Sequence, residues 1–123
     1  MKLVIIGNGV AGVTVARYVA EADPSVDITI HSDDSYLYYP RPRLIDLMAG
    51  KVVPEQAILY PDQWYAKRNI RNVLKHRAVE IQPDAHRVIF QDGSQDEYDR
   101  LVLATGARNW VPPIPGADLD GVY

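Results

Sequence analysis

The sequence predicts an α/β fold in which a parallel sheet carries an antiparallel β-meander on one face. Three observations predict it. An apolar run at Leu3–Ile6 leads into the glycine-rich turn Gly7–Gly12 and then into a segment with helical periodicity, which is the order of a Rossmann-like β-α-β unit. Apolar Val88–Phe90 and Tyr98 flank a tight Asp-Gly turn, as in an antiparallel hairpin. Residues 99–104 return to a continuous apolar strand.

The first 30 residues supply the β-α-β unit. Lys2–Ile6 is apolar without alternation, which is typical of a parallel strand buried on both faces. Val10–Ala22 has apolar residues at helical spacing and is followed by Asp23-Pro24, so it predicts a helix packed on the sheet. Val26–Ile30 is predicted to be the second strand, which completes the unit within about 30 residues.

The middle of the chain predicts shorter elements. A short helix is expected over Arg41–Met48, because it begins at a proline and is followed by a glycine. A second short helix is expected from Pro61, with Trp64 and Tyr65 on its inner face. Val73–Ala78 is predicted to be a third strand.

Composition limits the classes of function. The chain has 123 residues, 47% of them hydrophobic and 24% charged, which fits one globular domain. The net charge of −3 gives no electrostatic reason to expect nucleic acid or an anionic membrane as partner. No cysteine is present, so redox chemistry would require a bound cofactor.

Met1-Lys2 followed by an apolar run can imitate the start of a signal peptide. The apolar run after Met1-Lys2 has only four residues before Gly7, shorter than the roughly 7–15 residues of an h-region. No stretch is long enough to span a bilayer. We therefore expect a cytoplasmic protein without a membrane partner.

The glycine motif has a chemical interpretation at each position. Gly7 permits a sharp turn off the strand, Gly9 permits close approach of a pyrophosphate, and Gly12 permits close helix packing on the sheet. The free N–H groups at the helix start would hold the phosphates. The alternative is a tight strand-to-helix turn without a ligand. Glycines alone do not separate FAD from NAD, but the long insert after the second strand and the meander favour FAD.

Two arginines stand at a helix start, where the helix dipole disfavours cations. Arg41 is therefore expected to face an anion such as a cofactor phosphate, and Arg43 is the weaker candidate. Ordinary surface charge is the alternative for both.

The remaining polar residues predict no catalytic group or metal site. His31, His76 and His86 lack the spacing of metal ligands. Acidic residues at 92, 96, 97 and 99 predict a solvated turn. No nucleophile elbow is present.

These motifs together resemble a known family. The order GNGVAG, meander, YDRLVLATGA and the proline-rich exit IPGADLDGVY resembles the N-terminal FAD domain of FAD-dependent pyridine-nucleotide oxidoreductases. Within that family, Tyr39–Leu44 and His31–Asp34 are most similar to rubredoxin reductases and to the flavin part of NADH-dependent nitrite reductases. The resemblance covers essentially the whole chain.

The resemblance implies a set of cofactor-binding positions. Besides Gly7 and Gly12, they comprise the pyrophosphate turn, the end of the second strand, a basic loop, an adenine-facing strand position and the ATG turn. In that order they are Asn8, Gly9, Val10 and Ala11; His31, Ser32 and Asp33; Arg41 and Pro42; Ala78; and Ala104, Thr105 and Gly106. Many members carry an acidic ribose ligand where this chain has Ser32. Asp33 and Asp34 follow it and offer substitute carboxylates.

The resemblance also implies function and domain organisation. Residues 1–110 would be the N-terminal part of an FAD-binding domain, and 111–123 an exit linker towards an absent NAD(P)H domain, because no second GxGxxG follows Gly12. The implied function is passing electrons from NADH through flavin to an acceptor. A nucleotide-binding fragment or split-enzyme subunit without activity alone is the alternative, and an isolated NAD-binding fold ranks last. Uncovered apolar sheet surface predicts self-association or a complementing chain.

Overall fold

The structure, a computed structural model, describes residues 1–107 and 110–121, and these form two sheets and four helices. In chain order the elements are β1 (Lys2–Ile6), α1 (Val10–Ala22), β2 (Asp27–His31), α2 (Arg43–Met48), α3 (Pro54–Ala57), α4 (Asp62–Ala66), β3 (Ile70–Val73), β4 (Ala78–Gln82), β5 (Arg87–Phe90), β6 (Gln95–Glu97) and β7 (Arg100–Leu103).

Both predicted sheets are present, so the expected α/β class is confirmed. The four-stranded sheet is parallel throughout, with the order β3-β2-β1-β7. In its register Leu3 lies beside Ile28 on one side and Arg100 on the other. The three-stranded sheet is the antiparallel meander β4-β5-β6.

The alternation of side chains along β1 joins three layers. Leu3 and Ile5 point into a core shared with α1. Val4 and Ile6 pack on the other side, against Val88 and Phe90 in the meander. Successive residues of a strand face opposite sides of the sheet, so one continuous apolar strand serves two cores. The first strand is therefore buried on both faces, as its composition predicts.

Helix α1 covers the face opposite the meander. Its buried residues Val13, Ala16 and Ala20 recur at three- and four-residue spacing, so they form one stripe against the sheet. Gly12 lies where α1 comes close to the turn after β1, because a Cβ there would stand 2.0 Å from the carbonyl oxygen of Gly7. The predicted role of this third glycine in close packing agrees with that geometry.

The predicted strand over 73–78 is wrong. Strand β3 ends at Val73 and β4 begins at Ala78, in the other sheet. Between them Lys75 adopts a positive φ of 54°, and its N–H donates to the carbonyl of Asp34 at 2.9 Å. The loop after β2 therefore holds this segment and redirects it, which strand propensity does not reveal.

Other boundaries shift for local reasons. The second strand covers Asp27–His31, one residue later than predicted. Helix α2 begins at Arg43 rather than Arg41, because Pro40–Pro42 form the turn before it. Helix α3 was not predicted. It is a single turn that begins with Pro54.

Strand β7 differs from the expected buried strand. It pairs only with β1 and forms one edge of the parallel sheet, and 59% of Leu103 is exposed. Its apolar sequence is thus only partly covered by the described residues. Among those residues no helix combines the length and apolar character needed to cross a bilayer.

Candidate functional site

A cleft opens where three parallel strands end. The chain leaves β1 at Gly7, β2 at Ser32 and β7 at Ala104, and all three residues line the cleft. It has two adjoining compartments of about 480 and 680 Å³. The carboxyl ends of parallel strands are the usual ligand-binding edge of an open α/β sheet.

Gly7 brings the three strand ends together. Its φ is +112°, and a Cβ would lie 2.2 Å from the carbonyl oxygen of Ala104. Its N–H donates to the carbonyl of His31 at 2.8 Å, and the N–H of Ala104 donates to Ile6 at 2.8 Å. The glycine turn and the ATG turn, which are almost 100 residues apart in the sequence, are therefore in direct contact.

Gly9 has no internal packing reason to be glycine. Its φ of −82° is open to any residue, and a Cβ there would meet nothing within 4 Å. The space beside it belongs to the larger compartment. Close approach of a ligand therefore explains this glycine better than packing does.

The amino end of α1 faces the same compartment and lacks protein partners. No side chain caps this helix, and its first turn carries no acidic residue. Asn8 is only 4% exposed, yet its Oδ1 has no hydrogen-bond partner, whereas its Nδ2 donates to the carbonyl of Tyr36 at 3.5 Å. A helix amino end with free N–H groups is suited to phosphate. The uncapped helix end and the open space beside Gly9 fit the pyrophosphate of a dinucleotide, whereas the Asn8 oxygen, which can only accept, is not explained by it.

The smaller compartment has polar walls. His31, Ser32 and Asp33 form one side, and Ala78 with Arg77 forms the other. The Arg77 guanidinium lies 3.3 Å from the Asp33 carboxylate. Ser32 Oγ accepts the N–H of Asp34 at 3.2 Å, which leaves its hydroxyl proton available. Hydroxyl and carboxylate groups at the end of the second strand fit a ribose.

Arg41 lies in both compartments, whereas Arg43 lies in neither. The Arg41 guanidinium donates to the Tyr39 hydroxyl and stands 4.9 Å from the centre of that ring. It has no ion pair with any residue in the described part of the chain. Arg43 instead donates to the carbonyl of Gln56 in α3. The ranking of the two arginines thus agrees with their positions.

The structure brings the sequence-predicted site residues together. All except Gly12 line one compartment or both, and Gly12 lies beneath them in the packing of α1. The sequence reasoning missed cleft residues whose only signal is that they neighbour predicted ones. These are Ile6, His76, Arg77, Tyr38, Pro40, Leu103 and Ala107.

A chain of hydrogen bonds runs from the cleft wall into the meander. His31 Nδ1 lies 2.8 Å from His76 Nδ1, and His31 Nε2 lies 3.1 Å from Asp96 Oδ2. Asp96 also pairs with the Lys2 ammonium, and its side chain is only 15% exposed. The expectation that Asp96 belongs to a solvated turn is therefore wrong, because β6 turns this side chain towards β1 and β2.

Burial and hydrogen-bond partners set the ionisation of His31 and Asp96 in this hydrogen-bonded series. Burial lowers the pKa of His31, and the Asp96 carboxylate only partly opposes that effect. Burial alone would raise the pKa of Asp96, but hydrogen bonds from Lys2 and His31 together with the charge of Lys2 outweigh it and lower that pKa. The structure thus favours an ionised Asp96 beside a neutral His31.

Comparison with known proteins decides the family. A family model described as pyridine nucleotide-disulphide oxidoreductase matches residues 1–123. The chain belongs to that family. Its members depend on FAD and a pyridine nucleotide, which agrees with the cofactors that the resemblance implied. Because the chain has no cysteine, the disulphide in the family name is not supplied by these residues.

Relatives and solved structures agree with this assignment. Rhodocoxin reductase of Rhodococcus erythropolis is 37% identical over 124 residues, covering 100% of this chain and 29% of the relative. NADH-rubredoxin oxidoreductase of Clostridium acetobutylicum is 31% identical, covering 95% and 30%. The ferredoxin reductase for the CYP199A2 system from Rhodopseudomonas palustris superposes with a TM-score of 0.89 at 32% identity, covering 98% of this chain and 30% of that one. The chain spans about three tenths of the length of these relatives.

Proposed function

We propose that this chain is the FAD-binding portion of an NAD(P)H-dependent oxidoreductase that passes electrons from NADH through flavin to an acceptor. The observation that carries the proposal is the cradle at the start of α1. There Gly9 leaves open space and the helix amino end has no capping side chain. Both features are explained by a bound phosphate.

The cleft residues would bind successive parts of FAD. Asn8 to Ala11 would hold the pyrophosphate, and His31 to Asp33 the adenosine ribose. Ala78 would face the adenine, Arg41 would balance phosphate charge, and Pro42 with Ala104 to Gly106 would border the flavin. The residues assigned to the ribose and the adenine line the smaller compartment, and those assigned to the pyrophosphate and the flavin line the larger one.

Bound FAD would accept hydride from the nicotinamide and release electrons to the acceptor. The residues of this chain would bind the cofactor, orient it and neutralise part of its charge. We assign no catalytic residue to the described part of the chain. The choice between NADH and NADPH, like the identity of the acceptor, would depend on segments that bind those partners.

A nucleotide-binding fragment or split-enzyme subunit without activity alone is the second candidate. It rests on the described cleft, whose residues suit a nucleotide and include none that we assign to catalysis. Under either function we propose that residues 1–110 belong to the FAD domain and 111–123 to an exit linker. Residues 108–109 and 122–123 lie outside the described part of the chain. NADH oxidation by the isolated chain faster than by free flavin would exclude the second candidate.

A complementing domain, a partner chain or a second copy would cover the β7 edge. Leu103 at the end of β7 is 59% exposed, so apolar surface is available there. We further propose a cytoplasmic location, which separation of soluble and periplasmic fractions would test.

The first experiment is a visible absorption spectrum of the purified chain before and after denaturation, with chromatography of any released chromophore. A yellow protein that releases FAD supports the proposal. A colourless protein that also fails to bind added FAD would show that the described cleft is not sufficient.

A Gly9→Ala variant provides a sharper test. Because a Cβ at this position meets no protein atom within 4 Å, we expect the variant to fold normally. The added methyl group would instead occupy the space assigned to the pyrophosphate, so FAD affinity should fall by at least about tenfold, or about 1.4 kcal/mol. Titration followed by flavin fluorescence measures this. Unchanged affinity would contradict the proposed phosphate site.

A further inference from the structure

His31 and His76 are held as a facing pair in the wall of the smaller compartment. Their Nδ1 atoms are 2.8 Å apart. The ring of Phe90 stacks on His76 with 3.8 Å between centroids and packs on His31 at 4.4 Å. Phe90 is only 1% exposed, so the core of the meander fixes both rings.

The partners at each end of the pair determine where protons reside. A carboxylate only accepts, so His31 Nε2 donates to Asp96 and the neutral ring accepts at Nδ1. His76 Nδ1 must then be the donor between the rings. At the far end, His76 Nε2 lies 2.9 Å from Ser94 Oγ, and this hydroxyl lies 2.6 Å from Asp92 Oδ1.

The geometry therefore limits the pair to one positive charge. Three protons on the four ring nitrogens satisfy the contacts, with one nitrogen accepting between the rings. A fourth proton would point two N–H groups at each other across 2.8 Å, and two like charges at that distance repel strongly. The pair cannot be doubly protonated without separating.

Separation of the rings would change the wall of the cleft. The N–H of His76 donates to the carbonyl of Ser32 at 2.8 Å, and the N–H of Gln91 donates to Arg77 at 2.9 Å. These two bonds join the segment before β4 to the end of β2 and to the hairpin. His76, Arg77 and Ala78 all line the smaller compartment.

We propose that His31 and His76 are positioning residues that together carry one positive charge and hold residues 76–78 as the wall of the nucleotide cleft. A second positive charge, from a fourth ring proton, separates the rings, loosens that wall and weakens nucleotide binding. The weakened nucleotide binding rests on the proposed function, whereas the loosening of the wall does not. The burial that lowers the pKa of His31 also opposes the second proton.

Charged groups surround the pair from every neighbouring element. They include cations on β1 and β3, carboxylates on β6 and its preceding turn, and the ions of the cleft itself. They are Lys2, Arg71, Asp96, Asp92, Asp33, Asp34, Arg77 and Arg41. The exposed His86 lies outside this set, since its Nδ1 bonds the carbonyl of Tyr98, so it provides a matched control.

The first test requires no ligand. Nitrogen-15 NMR of the labelled full chain should show one protonated Nδ1 and one unprotonated Nδ1 in the pair near neutral pH. On acidification, the two Nδ1 signals should change together with a loss of amide-exchange protection at His76 and Gln91. Two unprotonated Nδ1 atoms, or protection unaffected by double protonation, would overturn the proposal.

The second test uses FAD as the probe. The affinity of the wild-type chain should fall by up to about tenfold per pH unit below the second protonation. His76→Phe, which retains a ring to stack on Phe90, should lose this dependence, while His86→Gln retains it. Affinity that rises in acid, or equal dependence in all three proteins, would refute the link to binding. If FAD does not bind at any pH, the proposed function fails and the NMR result alone decides the role of the pair.

Discussion

At the residue scale, the three motif glycines satisfy different physical demands. Gly7 needs its positive φ, Gly12 needs the absence of a Cβ, and Gly9 needs neither for folding. Only Gly9 is therefore informative about a ligand. The other two explain how the strand, the helix and the ATG turn come into contact.

Replacing Gly12 by Ala tests the packing role. Helix propensity alone would make alanine more stable by about 1 kcal/mol. The added Cβ would lie 2.0 Å from a backbone oxygen and 3.3 Å from the Ile5 side chain, and overpacking of this kind costs about 1–3 kcal/mol. We expect a net loss in the free energy of unfolding measured in urea. A gain would mean that α1 moves away at little cost. Gly9→Ala serves as the control, with a change below about 1 kcal/mol.

Asp96 provides a pH-dependent prediction. Its pKa is lowered in the folded state, so its contribution is present above the unfolded value of about 3.9 and is lost as pH falls through the folded pKa. Asp96→Asn should lower the free energy of unfolding by about 1–3 kcal/mol at neutral pH. The difference from wild type should shrink in acid.

Urea unfolding of both proteins near neutral pH and at about pH 3 measures this effect. The matched control is Asp84→Asn, since Asp84 is exposed and its substitution should change stability little at either pH. A deficit of Asp96→Asn that is equally large in acid would argue against an ionised Asp96.

At the scale of elements, the short helices depend on anchoring side chains. Helix α4 has only five residues, too few to be stable alone. It is held by Tyr65, which is 2% exposed and packs in the core with Leu3 and Ile70. Its other aromatic residue, Trp64, stacks on Tyr60 at 4.0 Å and remains partly exposed.

Truncation of these two aromatics should therefore have unequal effects. Tyr65→Ala should cost about 3–5 kcal/mol, as for other buried aromatic residues, and should unfold α4 together with the adjoining start of β3. Trp64→Ala should cost clearly less because it creates no enclosed cavity. Chemical denaturation of both variants gives the comparison. Equal losses would show that the stacked pair, rather than the core contact, anchors the helix.

At the scale of the whole molecule, the parallel sheet has an edge that the described residues leave partly uncovered. Leu103, Trp110, Ile114 and Leu119 are each more than half exposed. Where such side chains lie together, they form an apolar surface that is unusual on a monomer. The meander and α1 cover the two faces of the sheet near β1, but they do not extend over this edge.

We therefore expect the isolated chain to self-associate at high concentration, as measured by light scattering. Trp110→Ser combined with Ile114→Ser should shift the population towards monomer. Met48→Ser, at another residue that is 89% exposed, should have a smaller effect. A monodisperse wild-type monomer at high concentration would contradict the expectation.

The sequence by itself determined the α/β class, the first strand and helix, and most of the residues around the cleft. These features have local signatures, since a glycine needed for a turn and a continuously apolar strand appear at consecutive positions. Only the tertiary structure decided the rest. The break between β3 and β4, the edge position of β7 and the His31–His76–Asp96 chain depend on contacts between residues 41 or more positions apart in the sequence. Such contacts depend on how sheets stack, and that information is not contained in local spacing or propensity.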